Sequence, residues 1–157
     1  MLNTSQIDKL MRRDYYINQN FLGVFSLDQF LNLEIHDDNR KRFLLAVNEQ
    51  PSWKEGSHWL LVFKNKDNVY FIDSLGRTPS YYGLHDRICN LGDNMIFINN
   101  TPLQCYNSST CGAYSIYFSY YFQREVAFDE ILNEFSLHRE NNDAIVLKFL
   151  REKFNLF

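Results

Sequence analysis

The chain has 157 residues, of which 45% are hydrophobic and 17% aromatic, and this composition provides for one folded core and excludes intrinsic disorder. Its 16 basic and 19 acidic residues give a net charge of −3 and a pI near 5.8, so no general affinity for nucleic acid is indicated. Because residues 1–10 lack an apolar signal segment and no stretch is long enough to span a membrane, we expect residues 1–157 to form a single soluble, intracellular domain.

The predicted elements begin with a helix at residues 4–13, capped by Thr4 or Ser5, and residues 21–30 are ambiguous between an extended segment and a short helix. Further along, short apolar runs between turn residues predict strands, and longer amphipathic or apolar runs predict helices. The predicted strands are 43–48, 58–63, 69–73 and 95–99, and the later helices are 81–90, 111–123, 128–138 and 143–154. Strands in the middle of the chain with helices on either side indicate an α+β fold with a small sheet.

A histidine and an aspartate stand near the outer ends of two strands that a polar tract joins. If residues 64–67 form a four-residue hairpin loop, His58 faces Asp73 directly on one side of the sheet. The carboxylate then accepts a hydrogen bond from one imidazole nitrogen and leaves the other nitrogen to act as a base. Trp59, the next residue, either shields this imidazole and contacts a substrate or belongs to the core.

Cys111 follows three hydroxyl residues that are typical of a helix cap and precedes a run that is apolar on nearly all sides. We therefore expect Cys111 in the first helical turn, where the helix dipole and a nearby imidazolium favour the nucleophilic thiolate. Gly112 leaves room for a substrate to approach. Gln104, seven residues before Cys111, carries an amide that reaches the same oxyanion as the Cys111 backbone N–H.

The cysteines and histidines predict no metal site. Cys89, Cys105 and Cys111 are odd in number and lack C-x-x-C spacing, which indicates reduced thiols in a reducing compartment. The other histidines have no Cys, Asp or Glu partner at ligand spacing.

Taken together, the order His58-Trp59, Asp73, Gln104, Cys111-Gly112 resembles the catalytic layout of the adenovirus protease (adenain) family. Residues 56–59 resemble the family's Gly-x-His-Trp motif, and residues 21–25 resemble its N-terminal Phe-Leu-Gly segment. The resemblance spans residues 5–125 and is loose in the later helices. It implies a papain-like α+β fold of the CE clan and a thioester mechanism. It further implies that His58 is the base, Asp73 its orienting acid, and Gln104 an oxyanion donor.

The same resemblance implies an endopeptidase that cleaves viral precursor proteins at Gly-containing sites during virion maturation, in the host nucleus and the virion. Similar enzymes are encoded by Polinton/Maverick-type elements. The resemblance also implies activation by a short peptide and by DNA, although neither Cys89 nor Cys105 falls where the family's peptide-linking cysteine lies. We expect a monomer whose partners are polypeptide substrates.

Three alternatives stay open. Adenovirus enzymes generally carry Glu where this chain has Asp73, and an Asp is the acid of the SUMO-deconjugating relatives in the same clan. A protease for ubiquitin-like conjugates therefore shares the same four residues. The other two are an acyltransferase of the CE clan and a non-catalytic binding module that has kept the fold.

Overall fold

A five-stranded mixed sheet forms the centre of the computed structural model, which describes residues 1–36 and 41–156. The strands lie in the order β1 to β5, with parallel pairing at both edges and antiparallel pairing among the three central strands. They are β1 (Phe21–Phe25), β2 (Arg42–Asn48), β3 (Trp59–Asn65), β4 (Asn68–Ile72) and β5 (Asn94–Phe97).

Helices cover both faces of this sheet. They are α1 (Thr4–Arg13), α2 (Tyr15–Asn20), α3 (Leu27–Asn32), α4 (His85–Cys89), α5 (Cys111–Phe122), α6 (Phe128–Leu132) and α7 (Arg139–Phe154), and a 3-10 helix spans Pro79–Tyr82. Because side chains alternate along a strand, Leu61 and Phe63 pack towards α5 and α7, whereas Leu60 and Val62 pack towards α3 and α4. The predicted α+β fold with a small mixed sheet is confirmed.

The hairpin between β3 and β4 is tighter than the sequence predicts. Asn65 pairs with Asn68, so the loop has two residues rather than four, and Lys66 adopts φ +55° to close it. The predicted four-residue loop was wrong because it counted polar residues as loop, whereas backbone pairing continues through the polar residues at the end of the hairpin. The error shifts the register by two residues, and a shift of two keeps every side chain on its predicted face. His58 and Asp73 therefore still lie on the same side of the sheet.

The structure decides one prediction that the sequence left open, and it corrects the predicted cap of α1 and the helix predicted at residues 81–90. Residues 21–30 form both structures that the sequence allowed, a strand followed by α3, and α1 is capped by Asn3, whose side chain accepts from the Gln6 N–H. Gly83 adopts φ +71° and divides the helix predicted at residues 81–90 into the 3-10 helix and α4.

The helix predicted at residues 128–138 ends at Leu132, because the amide of Asn142 binds the backbone N–H and C=O of Ser136 in place of helical partners. The sequence also missed α2, which begins after Asp14. Helix α5 lies where it was predicted and is buried over most of its surface. In residues 1–36 and 41–156 no helix combines the length and the apolar character needed to cross a bilayer.

Candidate active site

His58 and Asp73 form a buried hydrogen-bonded pair at one end of the sheet. His58 immediately precedes β3 and Asp73 immediately follows β4, and the imidazole Nε2 lies 2.6 Å from Asp73 Oδ1. The two residues are 4% and 1% exposed. Since Asp73 occupies Nε2, only Nδ1 of the imidazole is left to exchange a proton with another group.

Three further donors hold the Asp73 carboxylate in place. Its Oδ1 also accepts from the Leu75 N–H at 2.9 Å, and its Oδ2 accepts from the Arg77 N–H at 3.2 Å and from the Tyr82 hydroxyl at 2.5 Å. The Tyr82 ring also stacks beside the His58 ring, with 6.4 Å between centroids. The carboxylate is therefore fixed before any substrate arrives, and it can hold the imidazole in one orientation.

Burial and the neighbouring groups act in opposite directions on the pKa values of this pair. Burial lowers the pKa of His58, but the hydrogen bonds and negative charges of Asp73 and Cys111 outweigh it and raise this pKa to about 9. Burial raises the pKa of Asp73, yet the bonds from His58, Tyr82 and Leu75 hold it below its usual value. The pair thus favours an imidazolium beside a carboxylate at neutral pH.

Cys111 is the first residue of α5 and is 2% exposed. The first N–H groups of a helix have no partner inside the helix, so the Cys111 N–H is available to an incoming oxygen. Thr110 precedes the helix, as the sequence predicts, but its hydroxyl does not cap α5 and instead donates to Asp143 Oδ1 at 3.0 Å. Cys111 contributes to the raised pKa of His58, and the two residues line the same cleft.

The side chain of Gln104 is buried and held at both ends of its amide. Its Oε1 accepts from the Ser74 hydroxyl at 2.6 Å, and its Nε2 donates to the Ser108 carbonyl at 2.9 Å. The backbone N–H of Gln104 also donates to the Ser74 carbonyl at 3.0 Å. An amide nitrogen carries two protons, so one N–H of Gln104 stays available to a ligand.

His58, Gln104 and Cys111 line one cleft of about 370 Å³, with Asp73 behind His58. Glu49, Ser57 and Arg77 also line it, so its walls are polar and carry charges of both signs. A larger cavity of about 940 Å³ lies at residues 33–36 and 87–93 and contains none of the predicted site residues. We place the chemistry in the smaller cleft, because a thiol, a base and an amide donor converge there.

No protein-family model and no curated protein matches the chain, but solved protease structures do. The ASFV pS273R protease superposes with a TM-score of 0.60 at 14% identity, over 91% of this chain and 64% of that one. The Chlamydia trachomatis effector ChlaDUB1 gives 0.67 at 12% identity over 96% and 83%, and the SUMO protease Ulp1 gives 0.55 at 19% over 93% and 73%.

This chain has the clan CE cysteine protease fold. The papain-like, CE-clan fold that the sequence motifs imply is thereby confirmed. The chain spans less than two thirds of the length of the ASFV protease, and more than that share of ChlaDUB1 and Ulp1.

Trp59 and Gly112 are both buried, and neither lines the cleft. Trp59 is 4% exposed in the core on the other face of the sheet, and its indole N–H donates to the Leu2 carbonyl at 2.9 Å. A Cβ on Gly112 would come within 3.1 Å of Ile7 Cδ1 and 3.2 Å of Leu2 Cβ. The space beside Gly112 is therefore filled by the N-terminal segment, so Gly112 is a packing position and does not leave the predicted room for a substrate. Of the two alternatives for Trp59, the structure shows the core position and not the predicted substrate contact.

Sequence reasoning missed Ser74 and Tyr82, which hold Gln104 and Asp73 in place. Both are common residue types with no spacing rule that links them to a site. Their roles follow from their contacts in the folded chain, and a single sequence does not show those contacts. Among residues 1–36 and 41–156, no three His, Cys, Asp or Glu side chains are grouped to hold a metal ion.

Proposed function

We propose that this chain is a cysteine peptidase that hydrolyses peptide or isopeptide bonds through a thioester on Cys111. One observation carries the proposal: the His58 imidazole is bonded to buried Asp73 on one nitrogen, and His58 lines one cleft together with Cys111 and Gln104. This is the arrangement in which a base deprotonates a nucleophile while a third group orients the base. The clan CE fold supports it.

In the proposed reaction, the thiol proton of Cys111 has passed to His58 Nδ1, which the raised pKa of His58 favours, and the thiolate attacks the carbonyl carbon of the scissile bond. The Cys111 N–H and Gln104 Nε2 donate to the resulting oxyanion. The imidazolium then protonates the leaving amine, the C–N bond breaks, and a thioester remains. Water, deprotonated by His58, attacks the thioester and releases the acid and the Cys111 thiol.

The test is a peptide probe that ends in a glycine vinyl methyl ester, which forms a covalent adduct with an activated thiolate. We expect mass spectrometry to find the adduct on Cys111 and on neither Cys89 nor Cys105, although Cys89 is the exposed thiol of the three. His58→Ala should abolish labelling, and Cys89→Ala should leave it unchanged. An adduct on Cys89 or Cys105, or labelling that survives His58→Ala, would overturn the proposal.

For the substrate, we propose polypeptide precursors cleaved at Gly-containing sites, as for a viral or virus-like element, in a reducing compartment. The fold of a protease from ASFV and three free cysteines support this. A protease for ubiquitin-like conjugates is the second candidate, because Ulp1 is a SUMO protease and the related effector Cdu1 was solved bound to ubiquitin. Asp73 in place of Glu also favours the second candidate.

One comparison separates the two candidates. The same Gly-Gly sequence is offered as a short peptide and at the C-terminus of ubiquitin or SUMO, and kcat/KM is measured for each. A precursor protease should cleave both forms within about tenfold of each other, since it binds only the residues in the cleft. A conjugate protease should prefer the folded fusion by at least about 100-fold, since docking then contributes to transition-state binding.

The same assay tests the remaining expectations. Added DNA or short activating peptides would raise the rate if the implied cofactors act on this chain. Transfer of an acetyl group from acetyl-coenzyme A without hydrolysis would favour the acyltransferase, and the absence of any covalent adduct would favour the binding module.

A further inference from the structure

A buried carboxylate outside the catalytic cleft contacts both segments that carry the proposed oxyanion donors. Asp143 lies in the first turns of α7 and is 8% exposed. In the parts of the chain that the structure describes, no Lys or Arg forms a salt bridge with it. A carboxylate buried without a basic partner is costly, so its hydrogen-bond donors must hold it.

The donors to Asp143 come from two places. Its Oδ1 accepts from the Thr110 hydroxyl at 3.0 Å and the Tyr114 hydroxyl at 2.9 Å, and its Oδ2 accepts from the Cys105 N–H at 3.4 Å. Thr110 immediately precedes Cys111, and Cys105 immediately follows Gln104. One carboxylate thus connects the residues next to each oxyanion donor.

Neighbouring contacts tie the same two segments to α7. The Asn142 amide donates to the Leu103 carbonyl at 3.1 Å, and the Tyr114 hydroxyl also lies 3.2 Å from that carbonyl. The loop that carries Gln104 is therefore attached to α7 at residues 103 and 105, and the start of α5 is attached to α7 through Thr110. The distance between Gln104 Nε2 and the Cys111 N–H depends on these attachments, because no regular element joins residues 104 and 111.

We propose that Asp143 is a positioning residue that sets the geometry of the oxyanion hole formed by Gln104 and Cys111. The inference rests on the proposed peptidase function. It assigns to α7, which lies outside the cleft, a role in transition-state binding. A donor placed away from the oxyanion loses most of its effect, since such hydrogen bonds act only over a narrow range of distance and direction.

The test compares Asp143→Asn with a control on the same helix, Val146→Ala. Asparagine keeps the size of the side chain but loses its charge, and its NH2 faces either the Cys105 N–H or the Thr110 and Tyr114 hydroxyls, which then have to accept instead of donate. Val146 is a fully buried apolar residue of the core, so its truncation lowers stability without removing a hydrogen bond. We expect Asp143→Asn to lower kcat about tenfold or more with little change in KM, and Val146→Ala to lower Tm with kcat unchanged.

A double-mutant cycle with Gln104→Ala gives the decisive readout. If Asp143 acts through the oxyanion hole, the loss of kcat in the double variant is smaller than the product of the two single losses. Tyr114→Phe, which removes one of the three bonds, provides a milder second variant if Asp143→Asn does not fold, and it should lower kcat by a smaller factor.

The outcomes separate this inference from the function on which it rests. A wild-type protein that hydrolyses no substrate overturns the proposed function and the inference together. If the wild type is active, a kcat for Asp143→Asn and Tyr114→Phe within about twofold of wild type, or losses that multiply fully with Gln104→Ala, overturn the inference alone and leave Asp143 a structural residue.

Discussion

His58 and Asp73 lie at the ends of paired strands, whereas Gln104 and Cys111 lie in a loop and at the start of α5. The strand ends are fixed by the backbone ladder of the sheet, which places both residues on one face. Gln104 is fixed by Ser74 and Ser108, and the segment before Cys111 is fixed by Asp143, which lies 33 residues beyond Thr110. The two halves of the site therefore depend on different parts of the molecule. They also do different work, since the first controls protonation and the second stabilises the oxyanion.

Removing the charge of Asp73, in the half of the site formed by the strand ends, should have the largest effect on activity. Asp73→Asn takes away the group that orients His58 and supports its proton, and we expect kcat/KM to fall by a factor on the order of 10⁴. Asp67→Asn, in the exposed hairpin loop, is the matched control and should retain full activity. A loss of less than about tenfold for Asp73→Asn would show that the imidazole is oriented without the carboxylate.

The pH profile of the same variant sharpens this expectation. The wild-type rate should fall as the pH rises through about 9, where His58 loses its proton, and in Asp73→Asn this limb should move towards the ordinary pKa of 6.5. The raised pKa also stabilises the fold, because the folded protein binds the proton more tightly than the unfolded chain. That stabilisation is complete below pH 6.5 and is lost as the pH rises through about 9. If the fall in rate stayed near pH 9 in Asp73→Asn, it would not come from the titration of the Asp73–His58 pair.

In the loop half, truncation of Gln104 should cost less. Gln104→Ala removes one of two proposed oxyanion donors, so we expect kcat to fall on the order of 100-fold with KM nearly unchanged. The pH limb should stay at about 9, because His58 and Asp73 are untouched. A shifted limb would mean that the two halves are coupled more closely than their contacts indicate.

Ser74 tests whether the orientation of the Gln104 amide matters. Ser74→Ala removes the hydroxyl that donates to Gln104 Oε1 and lets the amide rotate. The bonds that the backbone N–H groups of Leu103 and Gln104 donate to the Ser74 carbonyl remain. We expect kcat to fall roughly tenfold, less than for Gln104→Ala, since the donor is misplaced and not removed. Ser5→Ala, which removes an exposed hydroxyl outside the cleft, should have no effect, and an equal loss in both variants would argue against a specific role for Ser74.

The same difference between strand ends and loop decides how much of each half of the site can be predicted from the sequence. Strand faces follow from a period of two, so the faces of His58 and Asp73 survived a hairpin loop that was predicted two residues too long. The start of α5 at Cys111 also follows from local residues. The roles of Ser74, Tyr82 and Asp143 do not, because each acts through a side chain from a distant element, and no local pattern records which loop residue it meets.

The smallest expected effect concerns Trp59, which the structure places in the core. Trp59→Phe removes the bond to the Leu2 carbonyl and some core packing, so we expect the free energy of unfolding to fall by about 1–2 kcal/mol. KM should stay close to wild type, because Trp59 is buried on the face of the sheet that packs against α5. Trp53→Phe is the control, since Trp53 is 75% exposed and should change neither quantity. A rise in KM for Trp59→Phe without a loss of stability would show that Trp59 contacts the substrate, the other alternative that the sequence allowed.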